Sequence, residues 1–323
     1  MFHIGLAVLS LVGLFYHLQL KGLPQVKYLG IIIPFWVVDR IFRIGRLLYA
    51  NLGKGGTRTE VEALPGSACR VTVTLARSWS FHSGQHAYLY MPSIGLWQSH
   101  PFSVAWTEEA TDTSSMELPT SRDDSILSAS KARISFIVRA RTGFTNSLYN
   151  KAIKSPDGKF NTTCFVEGPY GGLQGLSSYG TVVLFAGGVG ITHHVPYVRE
   201  LVAGYSNGTV ATRKVLLVWA IQTPEHLEWI RPWMTAVLAL EGRREILRIM
   251  LFVSRPQSTK EIHSPSATVQ MFPGRPNVET LLSNEVENQV GAMAVSVCGP
   301  GSLSDSVRKA VRRHGGSIDY GKL

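Results

Sequence analysis

The chain opens on two long apolar stretches. From Met1 to Leu20 only His3, His17 and Gln19 are strongly polar, and Leu23 to Val38 is a second apolar run. Each comes close to the ~20 residues of a membrane-crossing helix, so the pattern predicts two such helices joined by a turn from Lys21 to Lys27. A secretory signal would show basic residues before its apolar region and small residues at a cleavage point, and neither is present. Asp39, Arg40, Arg43, Arg46, Lys54 and Arg58 follow the second run. A basic cluster beside an apolar span faces the cytosol, so the first helix runs outward and the second returns.

Beyond Gly53-Lys54-Gly55-Gly56 the period changes. Short alternating runs at Cys69–Leu75, Ala87–Met91 and Arg133–Arg139, bounded by Gly, Pro and Ser, predict a small antiparallel β-barrel. Glu108 to Lys131 is rich in Ser, Thr and Asp, and reads as a disordered insertion between two barrel strands that carries no chemistry. From Gly180, strand and helix periods alternate. Strands are expected at Thr181–Ala186, Lys214–Ile221, Ile246–Ser254 and Ala292–Cys298, and helices at Val195–Ala203, Glu225–Leu240, Asn277–Glu287 and Leu303–Arg313. That order implies an α/β parallel sheet with a nucleotide at the carboxyl ends of its strands. Three domains are therefore expected: membrane helices over 1–54, the barrel over 55–175 and the α/β domain over 176–323.

Charge narrows the partners. The 32 Lys and Arg outnumber the 22 Asp and Glu in 323 residues, an excess that suits nucleic acid, an anionic membrane surface or a phosphorylated cofactor. There is no aromatic RNA-binding motif, zinc-finger spacing or long basic run, which argues against nucleic acid. Cys69, Cys164 and Cys298 form no CxxC pair and suit a reducing compartment. Neither a Gly-x-Ser-x-Gly elbow nor a paired-carboxylate signal points to hydrolysis, and no His or Cys set has zinc spacing.

The glycines carry more. Gly187, Gly188, Val189, Gly190, Ile191 and Thr192 connect a strand to a helix, where backbone N–H groups and the helix dipole favour a pyrophosphate. A side chain at Gly188 or Gly190 is expected to occupy the phosphate's place, although a tight turn alone would also use glycine. Cys298, Gly299, Pro300 and Gly301 close the last strand and should lie beside that loop. Gly168, Pro169, Tyr170 and Gly171 fall where barrel meets sheet, as an interdomain grip or a simple turn. In the barrel, His100-Pro101-Phe102-Ser103 offers a ring to stack on a flat ligand and a hydroxyl for a ring nitrogen. Arg141-Thr142-Gly143-Phe144-Thr145 can start a phosphate-receiving helix. Taken singly, a strand bend and a capped turn explain both.

Together, HPFS, RTGFT, GPYG, AGGVGIT, VWAI and CGPG, in that order, resemble the fungal ferric-chelate reductases, relatives of the NADPH oxidases within the ferredoxin reductase superfamily. The likeness spans nearly the whole chain, and Trp36-Val-Val-Asp39-Arg40 with Arg43 and Arg46 resembles the end of that family's last membrane helix. It implies that His100, Pro101, Phe102 and Ser103 hold an FAD isoalloxazine, with Arg141, Gly143, Phe144 and Thr145 on its pyrophosphate. Gly168–Gly171, Gly187–Thr192 and Cys298–Gly301 would shape an NADPH site, with Ser103 and Cys298 nearest the chemistry and Arg255 and Arg275 as candidates for the 2′-phosphate. His3 and His17, 14 residues apart and so about 21 Å along a helix and near one face, resemble one of the family's haem-ligand pairs.

The resemblance further implies a plasma-membrane reductase with cytosolic cofactor domains, acting on ferric chelates or another small acceptor. A superoxide-producing oxidase and a non-catalytic remnant are the alternatives. The chain begins just before a histidine of the family's penultimate helix and stops short of the family's usual C-terminal stretch. It therefore reads as a fragment, with haem possible only alongside upstream helices.

Overall fold

The computed structural model describes residues 2–53, 56–96, 98–110, 131–171, 175–256, 264, 266–315 and 318–320. These fall into two compact units, Met1–Leu52 and Gly53–Leu323.

The first unit is a helical hairpin. Helices α1 (Phe2–Leu20) and α2 (Val26–Asn51) form over the expected apolar runs, but α2 continues through Asp39, Arg40, Arg43 and Arg46. Among the described residues no helix is long and apolar enough to cross a membrane, which corrects the two spanning helices. The reason is where the polar residues fall. Ile4 to Tyr16 between the two histidines, and Tyr28 to Val38 between Lys27 and Asp39, cover only about 20 Å and 17 Å of helix against a hydrocarbon core of roughly 30 Å. Large apolar side chains nevertheless face outward on both helices: Leu9, Leu20, Phe35, Ile41, Phe42 and Tyr49 are each more than half exposed.

The second unit begins with two antiparallel sheets. Strands β1 (Arg58–Leu64), β2 (Ala68–Thr74), β5 (Trp106–Ala110), β6 (Lys131–Arg139) and β7 (Lys159–Thr162) form one sheet in the order β5-β6-β2-β1-β7. Strands β3 (His86–Tyr90), β4 (Ser99–Ser103) and β8 (Phe165–Tyr170) form the other, in the order β4-β3-β8. No closed barrel results, contrary to the expectation, because the chain changes sheet at corners instead of pairing around a ring. At one corner the Val104 N–H donates to Gln85 O (3.0 Å) on the small sheet and the Ala105 N–H to Ser135 O (2.9 Å) on the large one. Both sheets and α3 (Phe144–Lys154) share a core that includes Val71, Leu89, Phe136 and Leu148. The expected insertion is flanked by strand at Glu108–Ala110 and Lys131, and 111–130 lies outside the described residues.

The rest is a six-stranded parallel sheet, as the alternating periods imply. Strands β9 (Thr181–Gly187), β10 (Lys214–Ile221), β11 (Leu247–Val253), β12 (Val269–Pro273), β13 (Met293–Cys298) and β14 (Ile318–Tyr320) take the order β12-β11-β10-β9-β13-β14. Every residue of β9 is buried: Val182, Leu184 and Ala186 enter one core while Val183 and Phe185 enter the other. Helices α4 (Ile191–Ser206), α5 (Arg231–Leu238), α6 (Arg243–Ile246), α7 (Val278–Glu287) and α8 (Gly301–Arg313) complete the unit. The helix expected over Glu225–Leu240 is divided into a 3₁₀ turn, Pro224–Trp229, and α5, since Ile230 leaves helical φ/ψ and Pro232 opens the next helix. The chain order reverses between β9 and β13, and the carboxyl ends of those strands are where an open α/β sheet leaves a crevice.

Candidate functional site

Two glycine loops meet at that crevice. The Gly187–Gly190 loop leads from β9 into α4, and Cys298–Gly301 leads from β13 into α8. Their glycines are not equivalent. A Cβ on Gly190 would lie 2.1 Å from Cys298 O, one on Gly187 2.5 Å from Pro300 Cδ, and one on Gly299 2.9 Å from Gly187 Cα, so these three let the loops touch. Gly301 meets nothing within 4 Å, and Gly188 has room as well. Its φ of +55° suits glycine, and the nearest atom to an added Cβ is Arg139 Nη1 at 3.6 Å. Of Gly188 and Gly190, only Gly188 has space beside it for a further group. Trp219 fixes the loop by donating its indole N–H to Gly188 O (2.9 Å), and the Thr192 hydroxyl donates to Val189 O (2.9 Å).

The loops border a cavity of about 870 Å³, within the range of cofactor sites. Cys298 lines it, half-buried, and burial pushes its thiol above the ordinary value, so it is uncharged near neutral pH. Cations dominate the wall: Arg139, Arg141, Arg275, Lys309 and Arg313 line it, with Glu279 the one acidic side chain among the described residues, paired to Arg313 at 2.9 Å. Burial and the neighbouring Arg141 both lower the Arg139 pKa, as expected for converging guanidinium groups short of negative charge. Arg139 also donates to Gln222 Oε1 (3.2 Å), crossing from the antiparallel sheets to the parallel one. With the N-terminus of α4 at the same place, the cavity is built to take an anion.

A second cluster lies on the antiparallel sheets. Register places Phe102 opposite Ala87 and His100 opposite Leu89, on the face that packs toward the core, and the His100 ring is 4.6 Å from that of Phe144. Ser103 pairs with His86 on the other face, across from Tyr170. Gly143, at φ +58°, precedes α3, and Thr145 Oγ1 accepts from the Arg141 N–H (3.0 Å) while donating to Thr142 O (3.3 Å). The first N–H groups of a helix such as α3 have no partner within the helix.

The expected residues thus divide. Gly187–Gly190, Cys298–Pro300, Arg141 and Arg275 share the large cavity, while His100–Ser103, Gly143–Thr145 and Gly168–Gly171 do not line it. Ile191, Thr192 and Gly301 start the helices behind the two loops. Arg255 is exposed and does not line the cavity either; its backbone N–H donates to Gln222 O (2.9 Å). His3 and His17 sit exposed near opposite ends of α1, and no group of three or more metal-capable side chains occurs among the described residues. One helix cannot offer both faces of a haem an imidazole from positions ~21 Å apart, so these residues do not complete a haem site. Sequence reasoning missed Arg139, Gln222, His226, Lys309 and Arg313. Helix period puts Arg313 above Lys309, so part of the signal was present.

The family description "Ferric reductase NAD binding domain" matches residues 179–312, and "FAD-binding domain" matches residues 54–121. The chain is 29% identical over 238 residues to a probable cell surface ferric reductase, kap2, of Aspergillus oryzae, covering 71% of this chain and 29% of that protein. It is 26% identical to ferric reductase transmembrane component 3 of Saccharomyces cerevisiae, covering 88% and 40%. Dual oxidase 2 of Rattus norvegicus is 23% identical over 78% of this chain and 17% of its own length. The chain thus spans less than half the length of these relatives. Among solved structures, phthalate dioxygenase reductase matches with a TM-score of 0.52 at 14% identity, over 83% of this chain and 68% of the other. The ferredoxin reductase of carbazole 1,9a-dioxygenase matches at 0.51 and 12%, over 82% and 69%. Both likenesses speak to the fold alone, a ferredoxin reductase-like pairing of antiparallel and parallel sheets. In order along the sequence, the chain matches an FAD-binding domain over residues 54–121 and a ferric reductase NAD binding domain over residues 179–312, and the relatives it resembles include fungal ferric reductases.

Proposed function

We propose that the chain is an NADPH-dependent oxidoreductase that passes electrons through FAD to a ferric chelate or another small acceptor at a membrane. The observation that carries this reading is the basic cavity: two interlocked glycine loops on the parallel sheet, met by Arg139 and Arg141 from the antiparallel side. Bound FAD would supply a two-electron acceptor able to release electrons singly.

The protein's own part is binding and orientation. Gly188 leaves room for a pyrophosphate beside the α4 N-terminus, and Arg139 with Arg141 offers it charge. Arg275, exposed on the cavity wall and close in sequence to Asn277, which accepts from the Thr280 N–H (3.2 Å), is the arginine best sited for a 2′-phosphate, since Arg255 does not line the cavity. Cys298 presents an uncharged, half-buried thiol to a nicotinamide ring without adding charge to the site. His100, Phe102 and Ser103 would hold the isoalloxazine, and Gly143, Phe144 and Thr145 its pyrophosphate. Arg141 stands between the two sites, its backbone on Thr145 and its side chain in the nucleotide cavity.

The outward-facing apolar residues of α1 and α2 support a lipid-associated hairpin, and the relatives named cell surface or transmembrane support the plasma membrane. The cofactor-binding unit then lies on the cytosolic side, where NADPH is found. Likeness to a dual oxidase favours a second acceptor, dioxygen. The test is NADPH-dependent reduction of ferric citrate by the FAD-loaded chain, with and without superoxide dismutase. Reduction insensitive to the dismutase supports the ferric reading; complete loss with dismutase supports the second, and no reduction by an FAD-loaded chain refutes both.

A further inference from the structure

The nucleotide cavity and the seam between the antiparallel and parallel sheets share a wall. The strip that follows β10, Gln222 to Trp229, lines the cavity with Gln222 and His226 and meets the β1–β2 hairpin on its other side. Trp229 donates its indole N–H to Pro65 O (2.7 Å), and Arg70 donates to Trp229 O (3.2 Å) while pairing with Glu62 (3.1 Å). The His226 ring lies on the Trp229 indole, with centroids 4.0 Å apart and 20° between the planes, and is only 3% exposed. Gly66 at the hairpin tip completes the contact. Its φ is +69°, and a Cβ there would stand 2.5 Å from His226 Cδ2 and 3.0 Å from Nε2.

We propose that Gly66 and Arg70, neither of which lines the cavity, are positioning residues that act through His226 and Trp229 to set the cavity wall against which the nicotinamide nucleotide lies. Trp229 is held at both its indole and its carbonyl, so it cannot follow a displaced His226 ring. The cavity is the side left to receive it. The hairpin belongs to the flavin-binding side and the strip to the nucleotide-binding side, so this contact fixes the placement of one ligand relative to the other. Small misplacements between reacting groups are costly to rate. The proposal rests on the reading that the cavity takes that nucleotide.

A double-mutant cycle in the full, FAD-loaded chain tests it, with NADPH affinity as the readout and FAD content as the control. Gly66→Ala should weaken NADPH binding about tenfold, and His226→Ala, which removes the colliding ring, should cancel the effect, so that the double variant binds within about twofold of His226→Ala alone. Additive effects would overturn the relay, because strain in the hairpin itself is not relieved at His226. If Gly66→Ala fails to retain FAD, Arg70→Gln serves: FAD retained with NADPH binding at least about threefold weaker supports the proposal, and wild-type affinity overturns it. A wild-type chain that binds FAD but no NADPH removes the functional reading and this proposal together. Normal wild-type binding with unaffected variants removes this proposal alone.

Discussion

Gly190 and Gly188 stand two residues apart in one loop and do different work. Gly190 permits contact with the carbonyl of Cys298, which is backbone and cannot yield, so Gly190→Ala is expected to destabilise the whole unit by about 1–3 kcal/mol and to reduce FAD and nucleotide binding together. Gly188→Ala meets no close atom and carries only the backbone cost of a positive φ, about 1–2 kcal/mol, with a methyl directed toward Arg139. It should weaken the nucleotide selectively, and thermal melts with cofactor titrations distinguish the two. The sequence cannot separate these glycines, because the partner of Gly190 lies more than a hundred positions away and is brought there only by β13 pairing with β9.

Burial also decides the histidines at the start of α4. His193 is held near a pKa of about 4 by desolvation, and His194, wholly enclosed with Nε2 on Ser296 Oγ (3.0 Å), is held well below its ordinary value. Both are neutral in the folded chain while the unfolded chain takes up protons near 6.5. Their contribution is therefore complete above about pH 6.5 and is lost as the pH falls toward 4, on the order of 3 kcal/mol for His193. Melting temperature followed from pH 7.5 to about 4.5 should fall, and less steeply in His193→Leu; equal slopes would contradict the assignment.

At the scale of elements, legibility followed burial. Lys214–Ile221 was expected as a strand and is β10, because an apolar run with β-branched residues between turns has few other uses. His100–Ser103 reads in sequence as a ligand motif or a strand bend, with no full strand over Ser99–Ser103 expected. It contains one large apolar residue and a proline, and becomes β4 through pairing with β3, which no local pattern announces. Helix α7 adds a contact invisible to periodicity. Its Glu285, 6% exposed, pairs with Lys214 of β10 (3.5 Å) and with Arg248 of β11, tying the helix across two strands. Glu285→Ala should lower stability by about 1–2 kcal/mol in chemical denaturation, less than a fully buried pair would lose, since both cations remain part-exposed. No change would mean the pair is merely solvated.

Over the whole molecule, strand and helix periods disclosed the parallel sheet, and the residue motifs disclosed both glycine loops. They misjudged two larger features. Closure of the antiparallel strands depends on corner hydrogen bonds at Val104 and Ala105, and alternation carries no information about them. The spanning helices were read from apolar length without weighing how His3, His17, Lys27 and Asp39 shorten each uninterrupted stretch. Several of the 32 Lys and Arg converge on one cavity, with a single carboxylate among its described lining residues.

The central claim is that this cavity delivers a nicotinamide nucleotide to FAD within the unit Gly53–Leu323. Anaerobic stopped-flow mixing of the FAD-loaded chain with NADPH tests it most directly, by following the oxidised-flavin absorbance. NADPH should bleach it in a concentration-dependent phase, faster than NADH does, and Arg275→Ala should erase most of that difference while leaving FAD in place. Persistent oxidised-flavin absorbance with either nucleotide, in a chain that holds FAD stoichiometrically, would contradict it.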